Sequence, residues 1–544
     1  MKQFFIITLV SFLMLSLLPF ALAEKEDYIL HQGNFSYSYL EDGSICIAEY
    51  TGNDKKVSVP AQIDGKTVTQ IGTLAFAEYE TSNITAVTLP DTIVRIQASA
   101  FSNCTRLTKI NLPEGLIELG DFAFVDCSKL SVLTLPASLT AIGANPFVGC
   151  SSLTLKLARG QDAFQLYKGM LYSPNGLLIS APGKLTNANI RIDTTTIGSY
   201  AFAGQSKLKK LTLPDTVTEI QANAFDSCTA LHDITLSESL VSIGEHAFFG
   251  CELLKTVAIP ASCTELAGNP FAYCTALRSF EVPEIHPTLV SMDGVLFNRD
   301  TMTLVAYPPA KGNTYTVPDG TCRIGDEAFY ACQSLTAVHM PESVTQIGEA
   351  AFRLCIQLTE LNLPDGLTTM GKWALASCGF QELHLPTELT EISNLCFDGC
   401  SKLTCIDIPD GVTTIGDSAF QQCFQLKQIT IPESVTEIGQ NAFNSCMSLT
   451  SIMLPHAITV IRPYTFVYCS ALKEIVIPDG VTEIGEWAFE GCYNMKKVTI
   501  PGSVRTIGDR AFGLMNDLLT VITPSGSVAE SYAKGNGFSV TNIE

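Results

Sequence analysis

"LKEIVIPDGVTEIGEWAFEGCYN", residues 472–494, is the stretch whose reading decides the fold. Its pattern, L-x-x-I-x-L-P-x-x-V-T-x-I-G-x-x-A-F-x-x-C-x-x, returns along most of the chain, usually every 23 residues. The Phe of the A-F pair stands at Phe76, Phe101, Phe124, Phe147, Phe202, Phe225, Phe248, Phe271, Phe329 and Phe352. It resumes at Phe397, Phe420, Phe443, Phe466, Phe489 and Phe512, with Leu375 filling the one gap, which makes 17 units. The last two apolar residues of L-x-x-I-x-L lie two apart, on one face of a strand. Proline ends pairing and starts a turn. V-x-x-I-G is a second extended or bent segment, and its Gly permits a sharp bend. A-F-x-x-C closes the coil with one large and two small buried groups. One such coil cannot bury its own apolar edge, whereas stacked copies can. The expected fold is therefore a repeat solenoid, curved and right-handed, of about 17 coils with a parallel β-sheet on one face. At about 4.8 Å per coil it spans on the order of 80 Å.

A chain of 544 residues exceeds one ordinary globular core unless it is repetitive. Its start, "MKQFFIITLVSFLMLSLLPFALA", has a positive residue, an apolar run from Phe4 to Leu18, and the small-x-small site Ala21-Leu22-Ala23. This reads as a signal peptide over 1–23, cleaved after Ala23. No cysteine follows that site, no C-terminal sorting signal is evident, and no later apolar run reaches membrane-spanning length. The expected location is secreted or at the cell surface. A formal charge of −21, from 33 Lys plus Arg and 54 Asp plus Glu, opposes binding to nucleic acid or anionic lipid.

The pattern "LPxxVTxIGxxAFxxC" resembles the BspA-like, Treponema-type leucine-rich repeats, over about 57–523. The flanks resemble the same family. "GSICIAEYTGNDKKVSVPAQIDGKTVTQIGTLAF" is similar to its N-terminal module, and "SGSVAESYAKGNGF" to its usual last unit, a short helix capping the final coil. An open solenoid end exposes core and strand edges, so caps are also a physical requirement. The resemblance implies adhesion to host extracellular matrix proteins, other cells or host surfaces.

Two departures from the repeat matter. Phe147 to Phe202 is 55 residues and Phe271 to Phe329 is 58. Both follow a coil in which Pro replaces Ala, "ASLTAIGANPF" and "ASCTELAGNPF". Both carry a similar core, "GMLYSPNGLLISAPGK" and "GVLFNRDTMTLVAYPPAKG", which reads as a β-hairpin. These inserts are spacers first, and as protrusions also binding elements. The expected organisation is a signal peptide at 1–23, an N-terminal β cap at 24–56, repeats at 57–150 and a hairpin insert at 151–195. Repeats at 196–282, a second insert at 283–320, repeats at 321–523 and a C-terminal cap at 524–544 complete it.

Fourteen of 19 cysteines sit in the repeat column, from Cys104 to Cys492. Equivalent positions in adjacent coils lie about 4.8 Å apart with parallel side chains. Disulfides need convergent Cβ atoms nearer 3.8 Å. The column therefore favours buried free thiols over disulfides or metal chemistry. Cys263 and Cys396 replace inward residues and read as core. Cys405 falls at an outward strand position. Cys396, Cys400 and Cys405 do not match a structural zinc spacing.

No G-x-S-x-G, H-E-x-x-H, Walker loop or dinucleotide fingerprint is present. The chain reads as a non-enzyme without cofactor or metal. Recognition is expected on the exposed strand positions. The fifth-position row carries His339, Asn362, His384 and Asp407 in succession, flanked by Glu360 and Glu382 from the third-position row. These six form the candidate binding surface, with protein ligands as partners. His339 and His384 lie two coils apart, about 10 Å, too far for one ion, and His384 with Asp407 supplies too few ligands. Trp373 and Trp487, one residue before the inward Ala, are expected to be exposed near the outer bend. Two other functions compete with the adhesion scaffold: a self-associating cell-envelope component, and an accessory module of an extracellular enzyme.

Overall fold

The computed structural model describes residues 29–77, 83–515 and 519–543. The expected signal peptide lies outside them. The chain divides into two compact units at Gln205/Ser206. Each is a β-solenoid, and together they make about 21 turns. The count exceeds 17 because some turns carry other residues in the phenylalanine column. Tyr50 stacks on Phe76 with centroids 5.5 Å apart, and Tyr307 on Phe329 at 5.0 Å. Ala181 N–H donates to the Ala201 carbonyl (2.8 Å), the bond that the column phenylalanines make.

In the first unit, Leu30–Gln32, Phe35–Tyr39 and Ile45–Tyr50 form an antiparallel cap. Ile45–Tyr50 then pairs in parallel with Lys66–Ile71, which starts a ladder through Arg95–Ile96, Glu118–Leu119 and Ala141–Ile142. A second parallel set begins at Lys56–Ser58, Ala86–Thr88 and Lys109–Ile110. Thus the V-T-x-I-G segment, expected only as extended or bent, also makes a parallel ladder, so most coils pair through two short strands.

A third set of coil-to-coil hydrogen bonds runs through A-F-x-x-C, where there are no strands. Ser418, Phe420 and Gln422 donate their N–H groups to the carbonyls of Gln440, Ala442 and Asn444, each at 2.8 Å. Ser418 and Gln422 hold φ of 54° and 59°. Left-handed backbone is uncommon outside Gly. Here it turns alternate N–H groups toward the next coil.

The repeat Gly serves close approach rather than φ. A Cβ on Gly439 would lie 2.4 Å from the Asp417 nitrogen. The column phenylalanines are fully buried and stack nearly parallel, as with Phe397 and Phe420 at 5.1 Å and 3°.

All 19 cysteines are free thiols, and all 14 of the column are buried. The Cys446 thiol donates to the Phe420 carbonyl at 3.2 Å, the Cys469 thiol to Phe443 at 3.2 Å, and the Cys423 thiol to Phe397 at 3.3 Å. The Phe420 carbonyl also accepts Cys423 N–H at 3.3 Å. A carbonyl has two lone pairs, and each coil fills one from its own turn and the other from the next coil's thiol. Burial pushes the Cys446 thiol far above its ordinary pKa. Cys263 and Cys396 are fully buried, and Cys405 is half-buried at the outward strand position.

Each insert is a three-stranded antiparallel meander, larger than the expected hairpin. The strands are Gln165–Tyr167, Met170–Tyr172 and Leu177–Ser180 in one, and Leu289–Met292, Val295–Asn298 and Thr303–Ala306 in the other. The last strand of each joins the parallel ladder, at Thr196–Ile197 and Arg323–Ile324 respectively. The Asn of each N-P-F supplies a donor across the insert. Asn145 Nδ2 donates to the Tyr200 carbonyl (2.7 Å) and Asn269 Nδ2 to the Glu327 carbonyl (2.9 Å).

At the C-terminus the helix Val528–Gly535 buries Ala529 and Ala533 and sets Tyr532 edge-on to Phe512 at 6.1 Å. Ser527 Oγ accepts Glu530 N–H, and the Glu530 carboxylate accepts Gly526 N–H, two bonds that fix the helix start. A final strand, Ser539–Ile543, pairs in parallel with Thr520–Pro524.

Candidate functional site

His339 ends the strand Ala337–His339, which pairs in parallel with Glu360–Leu361. Alternation buries Val338 and Leu361 and leaves His339, Glu360 and Asn362 facing solvent. His339 Nε2 lies 3.9 Å from Glu360 Oε1, with side chains 48% and 68% exposed. That is a screened surface pair rather than a hydrogen bond.

Asn362 has a different job. Met340 N–H donates to Asn362 Oδ1 (2.7 Å), and Asn362 Nδ2 donates to the Met340 carbonyl (2.9 Å). Both ends of its amide hold the preceding coil. Asn111 does the same to Leu89, at 2.8 Å each way. Asn362 is thus a latch whose hydrogen bonds are already used, although its position is exposed.

Glu382, His384 and Asp407 sit beside an irregularity. Leu375 to Phe397 is 22 residues rather than 23. The missing residue lies between Cys378 and Pro386, where Gly379-Phe380 replaces a longer turn. A Cβ on Gly379 would lie 2.5 Å from the Ile356 carbonyl oxygen, and Phe380 is fully buried in place of the usual Leu. The shortened coil does not reach strand register. One bridge, Glu382 with Cys405, is all the pairing this segment makes among the described residues. His384 is therefore exposed on an irregular segment, and Asp407 on the strand Cys405–Asp407 that resumes the sheet.

The second ladder is also interrupted here, as it is again between Glu437–Ile438 and Val460–Ile461, where the spacing is the regular 23. Thr369–Met370 closes one sheet and Glu391–Ile392 opens the next. Ser393 Oγ donates to the Met370 carbonyl (2.6 Å), a side chain where the coils of Gly371 and Gly416 use their backbone N–H groups. A groove of about 490 Å³ lies there over the glycine column, with Gln346, Glu349, Thr369, Lys372, Glu391 and Asn394 among its walls. The 22-residue spacing is visible in the sequence, but the loss of strand pairing between Gly379 and Pro386 is not readable from spacing.

Trp373 and Trp487 are half-buried rather than openly exposed. The Trp373 ring has Lys372 Nζ at 3.9 Å and the Arg353 guanidinium at 4.7 Å from its centre, and Arg510 covers Trp487 at 4.1 Å. Cations thus occupy the faces that a ligand would need. Among the described residues no group of three His, Cys, Asp or Glu side chains could hold a metal ion. No helix there is long and apolar enough to cross a membrane.

The family model described as "BspA type Leucine rich repeat region" matches residues 65–159, 181–300, 322–450, 390–518 and 436–544. Among solved structures, a leucine rich cell surface protein from Faecalibacterium prausnitzii is 28% identical. That match covers 79% of this chain and 95% of that one, with a TM-score of 0.39. A leucine-rich repeat protein from Eubacterium ventriosum is 20% identical over 85% and 93%, with a TM-score of 0.40. The pneumococcal vaccine antigen PcpA is 18% identical over 95% and 99%, with a TM-score of 0.26. No curated protein matches.

Proposed function

Because the chain belongs to the BspA-type leucine-rich repeat family, we propose that it is a secreted or surface-displayed, non-catalytic scaffold that binds proteins. Host extracellular matrix or cell-surface proteins are the partners this reading favours. The observation that carries it is the exposed polar row His339, Glu360, Glu382, His384 and Asp407, carried on successive coils. Side chains on stacked coils repeat at a fixed spacing, which lowers the ordering cost of binding. The acidic balance selects protein partners over nucleic acid.

The test uses residues 24–544 against immobilised matrix proteins, host cells and other microbial cells. Binding should be saturable, and His384→Ala with Asp407→Ala should weaken it about tenfold or more, as for residues central to an interface. Asn362→Ala should lower stability through the lost latch. Absence of binding to every target, or full binding by the double variant, refutes the reading.

A second function, a self-associating envelope component, is favoured by Ser539–Ile543. This strand is the last of its sheet, is mostly exposed, and contains neither Lys nor Pro. Such an edge is a template for pairing with another chain. Light scattering that finds only monomers at high concentration counts against it.

A further inference from the structure

The two inserts start from equivalent plugs of different chemistry. In the first, Gln161 is buried. Its Nε2 donates to the carbonyls of Pro136 (2.7 Å) and Leu139 (2.9 Å), and its Oε1 accepts the N–H groups of Ala163 (2.7 Å) and Phe164 (3.2 Å). In the second, His286 is 1% exposed. Its Nε2 lies 3.0 Å from the Cys263 carbonyl oxygen, and its Nδ1 accepts the N–H groups of Thr288 (3.3 Å) and Leu289 (3.0 Å). Leu139 and Cys263 occupy the same place in "PASLT" and "PASCT". In both plugs one side-chain acceptor holds the N–H groups two and three residues on, and one donor holds the preceding coil.

The chemistry differs at one point. An amide oxygen stays an acceptor at every physiological pH. Imidazole Nδ1 accepts only while neutral, with the proton on Nε2. A proton on Nδ1 would face two N–H donors with no acceptor. We propose that His286 is an acid-operated latch, whose protonation releases the start of the second insert and loosens the meander Leu289–Ala306, while the insert held by Gln161 stays closed.

The surroundings agree. All three hydrogen-bond partners of the ring are backbone groups. The charged neighbour is Arg299, whose guanidinium is held by the Glu284 and Leu289 carbonyls (3.4 and 3.5 Å). The thiol of Cys263 is pushed up to about 12 by burial and stays neutral. Burial holds the His286 pKa below the usual histidine value. The Cys263 carbonyl works against this, and Arg299 adds to it. A folded-state pKa below the unfolded one gives stability that is complete above the unfolded value and is lost as pH falls through the folded value. Between the two, the opening constant rises by up to about tenfold per pH unit.

The test is hydrogen exchange by mass spectrometry on residues 24–544, from about pH 7.5 to about pH 4.5, corrected for intrinsic rates. Peptides across 286–306 should open several-fold more in acid, and peptides across 161–180 should not. His286→Gln should remove the response, and Gln161→His should create one in the first insert. A response that persists in His286→Gln, or a second insert that does not respond, overturns the proposal. If His286→Gln fails to fold, the lack of a new response in Gln161→His overturns it instead.

Discussion

Replacing Phe443 with alanine removes one ring from the middle of a continuous stack. Phe443 is fully buried, 5.6 Å from Phe420 at 4° and 5.5 Å from Phe466 at 8°. Its backbone contacts do not depend on the ring. Phe443 N–H donates to the Thr465 carbonyl (2.9 Å), and its carbonyl accepts Cys446 N–H (3.1 Å) and the Cys469 thiol (3.2 Å). The loss is therefore a side-chain loss of burial and packing, about 3–5 kcal/mol for a core Phe→Ala, with each stacked pair accounting for about 0.5–1.5 kcal/mol beyond area. Phe443→Leu should lose less than Phe443→Ala, because Leu375 already fills this column. Solenoid stability sums over neighbouring coils, so the effect should be local. Hydrogen exchange should show protection lost chiefly between the coils of Phe420 and Phe466. In a double-mutant cycle, Phe420→Ala with Phe443→Ala should couple by about 0.5–1.5 kcal/mol, and Phe420→Ala with Phe489→Ala by less than about 0.5 kcal/mol. Equal coupling in both pairs, or a total loss under about 1 kcal/mol, would refute nearest-neighbour stacking as the source of stability.

Three further outcomes follow from local geometry. A thiol reagent should label exposed Cys322 rapidly in the native protein and Cys446 only as its coil opens; equal rates would contradict the buried column. Gly439→Ala should destabilise by about 1–3 kcal/mol through overpacking against the Asp417 backbone, and an unchanged melting temperature would show that the coils can move apart. Burial lifts the pKa of Asp226 to about 6, against a bond from Ser227 that lowers it. A raised folded-state pKa means stability that is complete below the unfolded pKa of about 4 and lost as pH rises through about 6. Asp226→Asn should therefore raise the melting temperature near pH 8, by at most about 3 kcal/mol in stability, and change little near pH 4. The reverse order would refute desolvation as the cause.

The repeat was legible because solenoid packing imposes itself on every coil alike. A 23-residue period in Leu, Ile, Gly, Phe and Cys can be satisfied only by stacking, and the inward register of Cys263 and Cys396 follows directly. The C-terminal helix was legible from its sequence, and its Ser527 cap is local chemistry. Exposure of His339, Glu360 and Asp407 was also readable, since alternation along a strand is local.

Which exposed groups are free was not readable, because it depends on the neighbouring coil. Asn362 looks like a ligand-facing amide until Met340 is placed 22 residues away in sequence and one coil away in space. Trp373 looks like a hot spot until Lys372 and Arg353 cover its faces. The single deletion before Pro386 is visible as a spacing, yet the loss of strand pairing around His384 emerges only when strands need partners at matching height. Likewise Gln161 and His286 share no residue type, and only the placement of two N–H groups and one carbonyl shows that they do the same work. The sequence by itself determined the coil, since each coil's burial pattern is written within it. The tertiary structure decided the surface, since a polar group's availability depends on whether the next coil has already used its hydrogen bonds.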